Sequence, residues 1–279
     1  MPGKAQKTHN KCLEIFERNA CSMTDNDSCD LVTLEFHGAL ARLRINNPPL
    51  NILTRAIRRA LLKRVCELEE REDIKVIIVQ GSEKAFSVGS DVREFPEDPT
   101  GALEKIRFEQ YLLDRLAQLR QISIAQLRGY VLGGGAELML SCDLRVASEQ
   151  AQIGFPEIRL GALPAAGGMR RLVRDIGPVR ARELVLRGHT ISAQEAVDLG
   201  LINNAVPETQ LDEVTEALAG ELLKLPSDGL RWGKKCVEAV LSTAGADTIA
   251  AEAFVSLFRG RNLREGLAAF REKRAPSFE

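Results

Sequence analysis

Three consecutive glycines, Gly133-Gly134-Gly135, stand directly before an apolar run that contains the acid Glu137. A glycine turn at the start of a helix exposes backbone N–H groups, which bind an oxygen that carries negative charge. We interpret the turn as a candidate oxyanion hole, although a tight turn or close helix packing would use the same glycines. Burial of Glu137 among its apolar neighbours would raise its pKa toward values useful in proton transfer. A first-turn glutamate that only complements the helix dipole is the alternative.

A second acid, Glu157, follows twenty positions later in the segment Gly154-Phe155-Pro156-Glu157-Ile158. Taken alone, a glutamate in a loop is usually a solvated charge. Two carboxyls that converge near one set of N–H donors can instead deprotonate a water and protonate the neighbouring carbon. We therefore interpret Glu137 and Glu157 together as a candidate acid–base pair.

Residues 84–92 offer a second glycine-containing turn with free N–H groups after a buried strand, and an ordinary strand-to-helix connection is the alternative. Ser87 and Ser90 in this segment have no plausible histidine partner, which disfavours a Ser-His-Asp hydrolase. The dinucleotide-binding and phosphate-loop signatures are not matched. Three scattered histidines and six cysteines without paired spacing predict no metal site and no disulfide framework.

The elements that must position these residues alternate between strand and helix. Residues 31–36 and 40–45 predict a hairpin, Thr54 predicts the cap of a helix through about Glu70, and residues 76–79 predict a buried strand. A helix near 101–120, a strand at 123–127, a helix after the glycine triplet and a strand at 144–147 follow, which indicates layered α/β packing. From Gly167 onward strands almost vanish, and helices are predicted near 166–175, 178–187, 192–200, 209–224, 226–241, 246–258 and 262–272.

The composition of the 279-residue chain is that of an ordinary globular protein. Its 38 Lys and Arg nearly cancel 39 Asp and Glu, so no overall field would hold a polyanion. No apolar run approaches the roughly 20 residues that span a bilayer. We therefore expect a cytoplasmic protein without a membrane partner. Residues 1–30 are expected to form a flexible extension, with Met23 as a candidate native start and an added leader as the alternative.

Several ordered motifs closely resemble the crotonase (enoyl-CoA hydratase/isomerase) family. They are residues 85–94, residues 129–137, residues 154–161 and the run Pro164-Ala165-Ala166-Gly167-Gly168, and the resemblance extends from about residue 31 to 278. It implies an α/β fold with a crotonase-like spiral of ββα units over residues 31–225. It also implies a C-terminal helical region over 226–279 that builds a homotrimer, often paired into a hexamer.

The resemblance also implies roles for single residues. The backbone amides of Ser90 and Gly134 would hold a thioester oxygen, while Glu137 would deprotonate water and Glu157 would exchange the α-carbon proton of a 2-enoyl-CoA. Coenzyme A would lie along Ser90, Asp91, Val92 and Arg93, as part of the substrate and not as a separate cofactor. Phe258 and the tail Arg271-Glu272-Lys273-Arg274 resemble a region that contacts CoA from a neighbouring subunit.

Other activities stay open within this resemblance. Isomerases need only the acid at the Glu157 position, and hydrolases and decarboxylases use other residues, so both acids together favour hydration. A non-catalytic scaffold is disfavoured because both acids and both glycine turns are present. We expect the walls of the acyl pocket to come from residues 95–119.

A basic stripe suggests one partner of a different kind. Arg55, Arg59 and Lys63 recur at helical spacing, reinforced by Arg58 and Arg64, and resemble the basic comb of an RNA-binding hydratase in this family. A solvated helix face opposite the apolar stripe is the interpretation that we favour, and no nucleic-acid partner is expected.

Overall fold

The computed structural model describes residues 31–96, 98–240 and 261–278. The predicted extension with Met23, the predicted helix at 246–258 and Phe258 lie outside the described residues. None of the helices in these described ranges is long and apolar enough to cross a membrane.

Strands and helices alternate through most of the chain. The strands of the described ranges are β1 (Val32–His37), β2 (Leu40–Ile45), β3 (Val76–Gln80), β4 (Ala85–Ser87), β5 (Ile122–Leu127), β6 (Tyr130–Leu132), β7 (Leu144–Ser148), β8 (Gln152–Gly154), β9 (Thr190–Ser192) and β10 (Asn204–Val206). The helices are α1 (Arg55–Glu69), α2 (Pro99–Gln118), α3 (Gly134–Leu140), α4 (Gly168–Arg187), α5 (Ala193–Asp198), α6 (Leu211–Leu223), α7 (Ser227–Val240) and α8 (Arg261–Glu272). Short 3-10 helices lie at Val92–Glu94, Pro156–Leu160 and Glu208–Gln210.

The strands form two sheets. The larger has the order β1-β2-β3-β5-β7-β10 and the smaller has the order β4-β6-β8-β9. From β3 to β8 the chain adds one strand to the larger sheet and the next to the smaller, and strands within each sheet pair in parallel. Each repeat of the chain therefore adds one strand to each sheet, which confirms the predicted mixed α/β spiral.

The apolar pattern of the sequence places the core between the larger sheet and the helices. Every residue of β3 and β5 is buried, as expected for parallel strands covered on both faces. Thr54 caps α1 by accepting a hydrogen bond from the amide of Ile57, at 3.3 Å. The predicted apolar stripe of α1 is buried from Ile57 to Leu68, and each such side chain contributes about 1.5–3 kcal/mol by its burial.

The structure departs from the predicted elements in the short strands and in one helix. Strands β4, β6, β8, β9 and β10 have only three residues each, too few for a repeating pattern in the sequence. The helices predicted at 166–175 and 178–187 meet end to end as α4, where Gly177 leaves helical geometry with φ of 73° beside Pro178. The division predicted at residues 225 and 226 falls between α6 and α7 and stays a prediction.

Candidate active site

The predicted site segments follow successive strands of the smaller sheet. Ser90 follows β4, Gly134 and Glu137 follow β6, and Glu157 follows β8. These three strands are parallel neighbours. Because the carboxyl ends of parallel strands meet at one edge of a sheet, the structure brings the predicted oxyanion and acid residues together there.

The two glycine turns touch each other. A Cβ atom at Gly89 would lie 2.8 Å from the amide nitrogen of Gly134, and Gly89 has φ of +89°, so only glycine fits. A Cβ atom at Gly134 would lie 3.5 Å from Ser90 Oγ. Gly134 is the first residue of α3, and its amide has no partner within the helix. The approach packs the turn that carries Ser90 against the turn that carries Gly134.

A buried asparagine holds the first turn in place. Asn51 has φ of 50°, and its Nδ2 donates to the carbonyl oxygen of Ala85 at 2.9 Å. Its own carbonyl oxygen accepts from Ser87 Oγ at 2.7 Å, and the same hydroxyl accepts from the amide of Gly89 at 3.1 Å. The turn before Ser90 is thus fixed by hydrogen bonds to the segment that enters α1.

Glu137 is buried beside a backbone amide. Its side chain Oε1 accepts a hydrogen bond from the amide of Gly168 at 2.9 Å, and the residue is only 4% exposed. A Cβ atom at Gly168 would lie 2.6 Å from that oxygen, so the contact requires glycine. Burial is the main cause that raises the pKa of Glu137 to about 8; the Gly168 hydrogen bond lowers it, and the charges of Glu157 and Glu109 add to the rise. The carboxyl therefore changes its charge near neutral pH.

Glu157 offers a carboxyl without a partner. Both of its side-chain oxygens are buried and accept no hydrogen bond from the described residues. A Cβ atom at Gly133 would lie 3.4 Å from Glu157 Oε1, which puts this carboxyl against the second glycine turn. Burial raises the pKa of Glu157, and its own amide offsets this in part without making a hydrogen bond of normal geometry. Lone pairs left unused by the protein are open to a substrate or a water.

Arg171 holds the loop that carries Gly168. Its guanidinium is 2% exposed and donates to the carbonyl oxygen of Leu113 at 3.2 Å and to Asp114 Oδ1 at 2.5 Å. It also reaches the carbonyl oxygen of Ala166, at 3.5 Å. The contacts tie α4 to α2 and fix the position of the amide that binds Glu137.

A cavity of about 10 Å³ adjoins the Glu137 carboxyl, which is room for about one water. Residues 95–119, the predicted source of the pocket walls, contribute Glu109, Leu112 and Leu113 to it. The other lining residues are Leu53, Arg58, Leu61, Gly134, Glu137, Leu138 and Ala166. A larger cavity of about 720 Å³ lies beside α7, but none of its lining residues belongs to the glycine turns or the acid pair.

The segment predicted to contact coenzyme A lies at the surface. Asp91 Oδ2 accepts from Arg93 Nη2 at 2.7 Å, and Asp91 Oδ1 accepts from the Arg93 amide at 3.0 Å. The Arg93 guanidinium lowers the pKa of Asp91 to about 2. Val92 is 53% exposed, and the Arg93 side chain is exposed beside it. A cation therefore stands next to the Ser90 turn; its contact with CoA stays a prediction.

The predicted basic stripe is wrong at Arg58. Arg55 and Arg59 are exposed, whereas Arg58 points inward and is 6% exposed. Its Nη2 donates to Ser90 Oγ at 2.7 Å, and its Nε lies 3.2 Å from Glu109 Oε1. The helix periodicity explains the difference, because Arg58 stands four residues before the buried Leu62 and shares its face of α1.

Sequence reasoning missed several residues that shape the site. Arg58 and Glu109 are charged residues at core-facing helix positions, and Glu109 precedes Leu112 and Leu113 at helical spacing. Opposite charges on the apolar stripes of two helices were a signal that they pair in the core. Asn51 gave no such signal, because its buried hydrogen bonds go to backbone atoms more than 30 positions away in the sequence.

The Enoyl-CoA hydratase/isomerase family model matches residues 35–279 of the chain. A "probable enoyl-CoA hydratase" of Mycobacterium bovis is 36% identical over 240 residues, which cover 85% of this chain and 93% of the relative. A "probable enoyl-CoA hydratase" of Bacillus subtilis is 34% identical over 256 residues, which cover 89% of this chain and 98% of the relative.

Solved structures give the same result for the fold. The enoyl-CoA hydratase of Bacillus anthracis is 30% identical with a TM-score of 0.84, over 89% of this chain and 98% of that one. The protein DspI of Pseudomonas aeruginosa is 32% identical with a TM-score of 0.85, over 92% of this chain and 99% of that one. Each of the two structural matches covers about nine-tenths of this chain.

Proposed function

Because the chain belongs to the crotonase (enoyl-CoA hydratase/isomerase) family, we propose that it adds water reversibly across the 2,3 double bond of a 2-enoyl-CoA thioester. One observation carries the proposal: two buried carboxyls with raised pKa values, Glu137 and Glu157, flank a pair of touching glycine turns. An acid–base pair beside an oxyanion hole is what addition of water to a conjugated thioester requires.

The amides of Ser90 and Gly134 bind the thioester oxygen of the substrate. Negative charge accumulates on this oxygen as the enolate forms, and fixed N–H donors stabilise it without reorganising. The CoA portion runs along Ser90, Asp91, Val92 and Arg93, where the Arg93 guanidinium can meet a phosphate. The close approach of Gly89 to Gly134 supports this geometry, because no side chain separates the two turns.

The two acids divide the proton transfers. Ionised Glu137 takes a proton from water as the water oxygen bonds to C3, and protonated Glu157 gives its proton to C2. The electron pair of the double bond passes through the enolate to the new bond at C2. Glu137 ends protonated and Glu157 ionised, and exchange with solvent restores both. The raised pKa of Glu157 supports its role as the proton donor, and the pKa of Glu137, about 8, leaves an ionised fraction at neutral pH that can act as the base.

Isomerisation of a 3-enoyl-CoA is the alternative for this site. It needs a single acid at the Glu157 position, whereas a buried Glu137 held by the Gly168 amide supports a second proton-transfer group. Burying the Glu137 carboxyl lowers the free energy of unfolding, and a buried acid kept despite this cost is typical of a group with a role in the reaction.

We further propose a homotrimer or a hexamer built by residues 226–279. Exposed apolar side chains on α7, such as Val237 at 66%, support a covered face there. Light scattering at micromolar concentration measures the assembly, and a monomer would contradict this proposal without affecting the reaction.

The test of the reaction follows the loss of enoyl-thioester absorbance with short, medium and branched 2-enoyl-CoAs. We expect hydration of at least one, and a fall of about 10²–10⁴-fold in Glu137→Gln and in Glu157→Gln. The exposed acid Glu149 supplies the matched control, because Glu149→Gln should keep wild-type turnover. Failure to hydrate any of them, with isomerisation of a 3-enoyl-CoA, would replace hydration by isomerisation.

A further inference from the structure

Arg58 is a buried cation that touches both glycine turns. Its Nη2 donates to Ser90 Oγ at 2.7 Å, and a Cβ atom at Gly134 would lie 3.4 Å from the same nitrogen. Its Nη1 donates to the carbonyl oxygen of Leu53, whose amide in turn donates to the carbonyl oxygen of Gly89 at 2.8 Å. The guanidinium therefore holds the Ser90 turn through a side chain and through the backbone that pairs with it.

Glu109 of α2 pairs with the guanidinium. Glu109 Oε1 lies 3.2 Å from Arg58 Nε, and the two side chains are 6% and 7% exposed. Lys105 Nζ also contacts Glu109 Oε1. Removing two charges from water costs about as much free energy as their attraction in the protein returns. The pair with Glu109 alone therefore does not explain why Arg58 is buried. The hydrogen bond to Ser90 gives a reason for this burial, because an ion pair that only joined α1 to α2 would not require it.

We propose that Arg58 is a positioning residue of the oxyanion hole, which fixes the Ser90 turn and holds a positive charge behind the thioester oxygen. The inference rests on the proposed oxyanion hole of Ser90 and Gly134 and deepens it. Burial lowers the pKa of the Arg58 guanidinium and the charge of Glu109 opposes this, but an arginine remains protonated at neutral pH and keeps its positive charge there. The other charged groups near it are Lys105, Glu94, Glu109 and Glu137, of which Lys105 shares Glu109 with it.

The charge acts where water is excluded. Cations and dipoles aimed at a developing oxyanion stabilise it most strongly in a buried site, because they are already oriented. Glu109 cancels part of the Arg58 charge, but it pairs with Nε while Nη2 is the nitrogen at the two turns. The orientation thus presents the cationic end of the pair to the turns.

The test measures polarisation of a bound carbonyl as well as turnover. Butyryl-CoA labelled with ¹³C at the thioester carbon has no double bond to hydrate, and its carbonyl stretch moves to lower frequency when the oxygen is polarised. We expect this downshift in the wild type and at most half of it in Arg58→Met. With enoyl-CoA, the same variant should lose about 10–100-fold in kcat with KM within about twofold. Arg59→Met, an exposed neighbour on the same helix, should match the wild type in all three measurements.

A second variant covers the case in which Glu109, left without its partner, prevents folding. Arg58→Met with Glu109→Gln removes both charges of the buried pair, and Lys105, which then loses its carboxylate partner, has a side chain that is 23% exposed and can be solvated. Ser90→Ala keeps the backbone amide but removes the hydroxyl that Arg58 binds. Under the proposal Arg58→Met costs less in the Ser90→Ala background than in the wild type, because the two changes break one contact.

The outcomes separate this inference from the proposed reaction. The inference would be overturned if a folded Arg58→Met or double variant kept the full carbonyl downshift and the wild-type kcat. Arg58 would then only join the two helices. A wild type that shows no downshift would overturn it too, whatever its turnover. A downshift that disappears in Arg58→Met, in an enzyme that hydrates no enoyl-CoA, would support the inference while ending the hydratase proposal.

Discussion

The raised pKa of Glu137 makes a prediction about both stability and rate. Burial moves this pKa from an ordinary value of 4.5 to about 8. The folded chain therefore binds this proton more tightly than the unfolded chain does. At about 1.36 kcal/mol per pKa unit, the shift of roughly 3.5 units sets an upper limit of about 5 kcal/mol.

The sign of this effect follows from the direction of the shift. Below about pH 4.5 the carboxyl is protonated in both states and costs nothing by its charge. Between pH 4.5 and 8 the unfolded chain releases the proton while the folded chain keeps it, so the free energy of unfolding falls as pH rises. Glu137→Gln carries no titrating proton and keeps an oxygen that can accept from the Gly168 amide. Its stability relative to the wild type should grow across this window and level off above pH 8.

Urea unfolding at pH 5, 7 and 9 measures the difference between the two proteins. We expect Glu137→Gln to gain stability over the wild type by a few kcal/mol from pH 5 to pH 9. The same group sets the rate, because only about a tenth of a base with a pKa of about 8 is ionised at pH 7. The proposed step also needs Glu157 protonated, so the wild-type kcat/KM should follow a bell-shaped curve with pH instead of a plateau at high pH. Parallel stability curves, or a flat rate from pH 6 to 9, would refute the reasoning.

Three further predictions concern the residues that hold the site. Gly168→Ala places a Cβ atom 2.6 Å from Glu137 Oε1 and should lower turnover by about 10²-fold; Gly220→Ala, whose added Cβ meets nothing within 4 Å, is the control in the same assay. Asn51→Ala removes two buried hydrogen bonds to residues 85 and 86 and should cost about 2–3 kcal/mol in urea unfolding, and an unchanged midpoint would contradict the clamp. Thr54→Ala should cost about 1 kcal/mol and Thr54→Ser much less, and equal losses in thermal unfolding would show that the cap bond to Ile57 contributes nothing.

Five of the six strands of the larger sheet could be predicted from the sequence because they are long enough to show a pattern; the sixth, β10, has only three residues. The run at 76–79 is a continuous apolar segment, residues 123–127 include Ile124, Ala125 and Leu127, and both strands are buried in the structure. The smaller sheet could not be predicted, since β4, β6 and β8 are three residues long and their pairing depends on contacts made across the chain. The residues that carry chemistry follow those unpredicted strands.

The acid pair and the glycine turns could be identified from residue types, because glycine and buried carboxyls have few roles. The residues that hold them in place could not. Asn51 acts through hydrogen bonds to backbone atoms more than 30 positions away, and Arg171 does so across more than 50. Contacts of that separation leave no local pattern, and only the folded chain reveals them.

The three short parallel strands β4, β6 and β8 each deliver one segment of the site, while the strands of the six-stranded sheet pair with one another through a separate hydrogen-bond ladder. A substitution in one of these segments leaves the hydrogen-bond ladder of the larger sheet intact. The segments can therefore be exchanged one at a time, with an acid lost or gained after β6 or β8 while the two glycine turns stay. The larger sheet is needed for folding, whereas the segments after β4, β6 and β8 can vary and change the reaction.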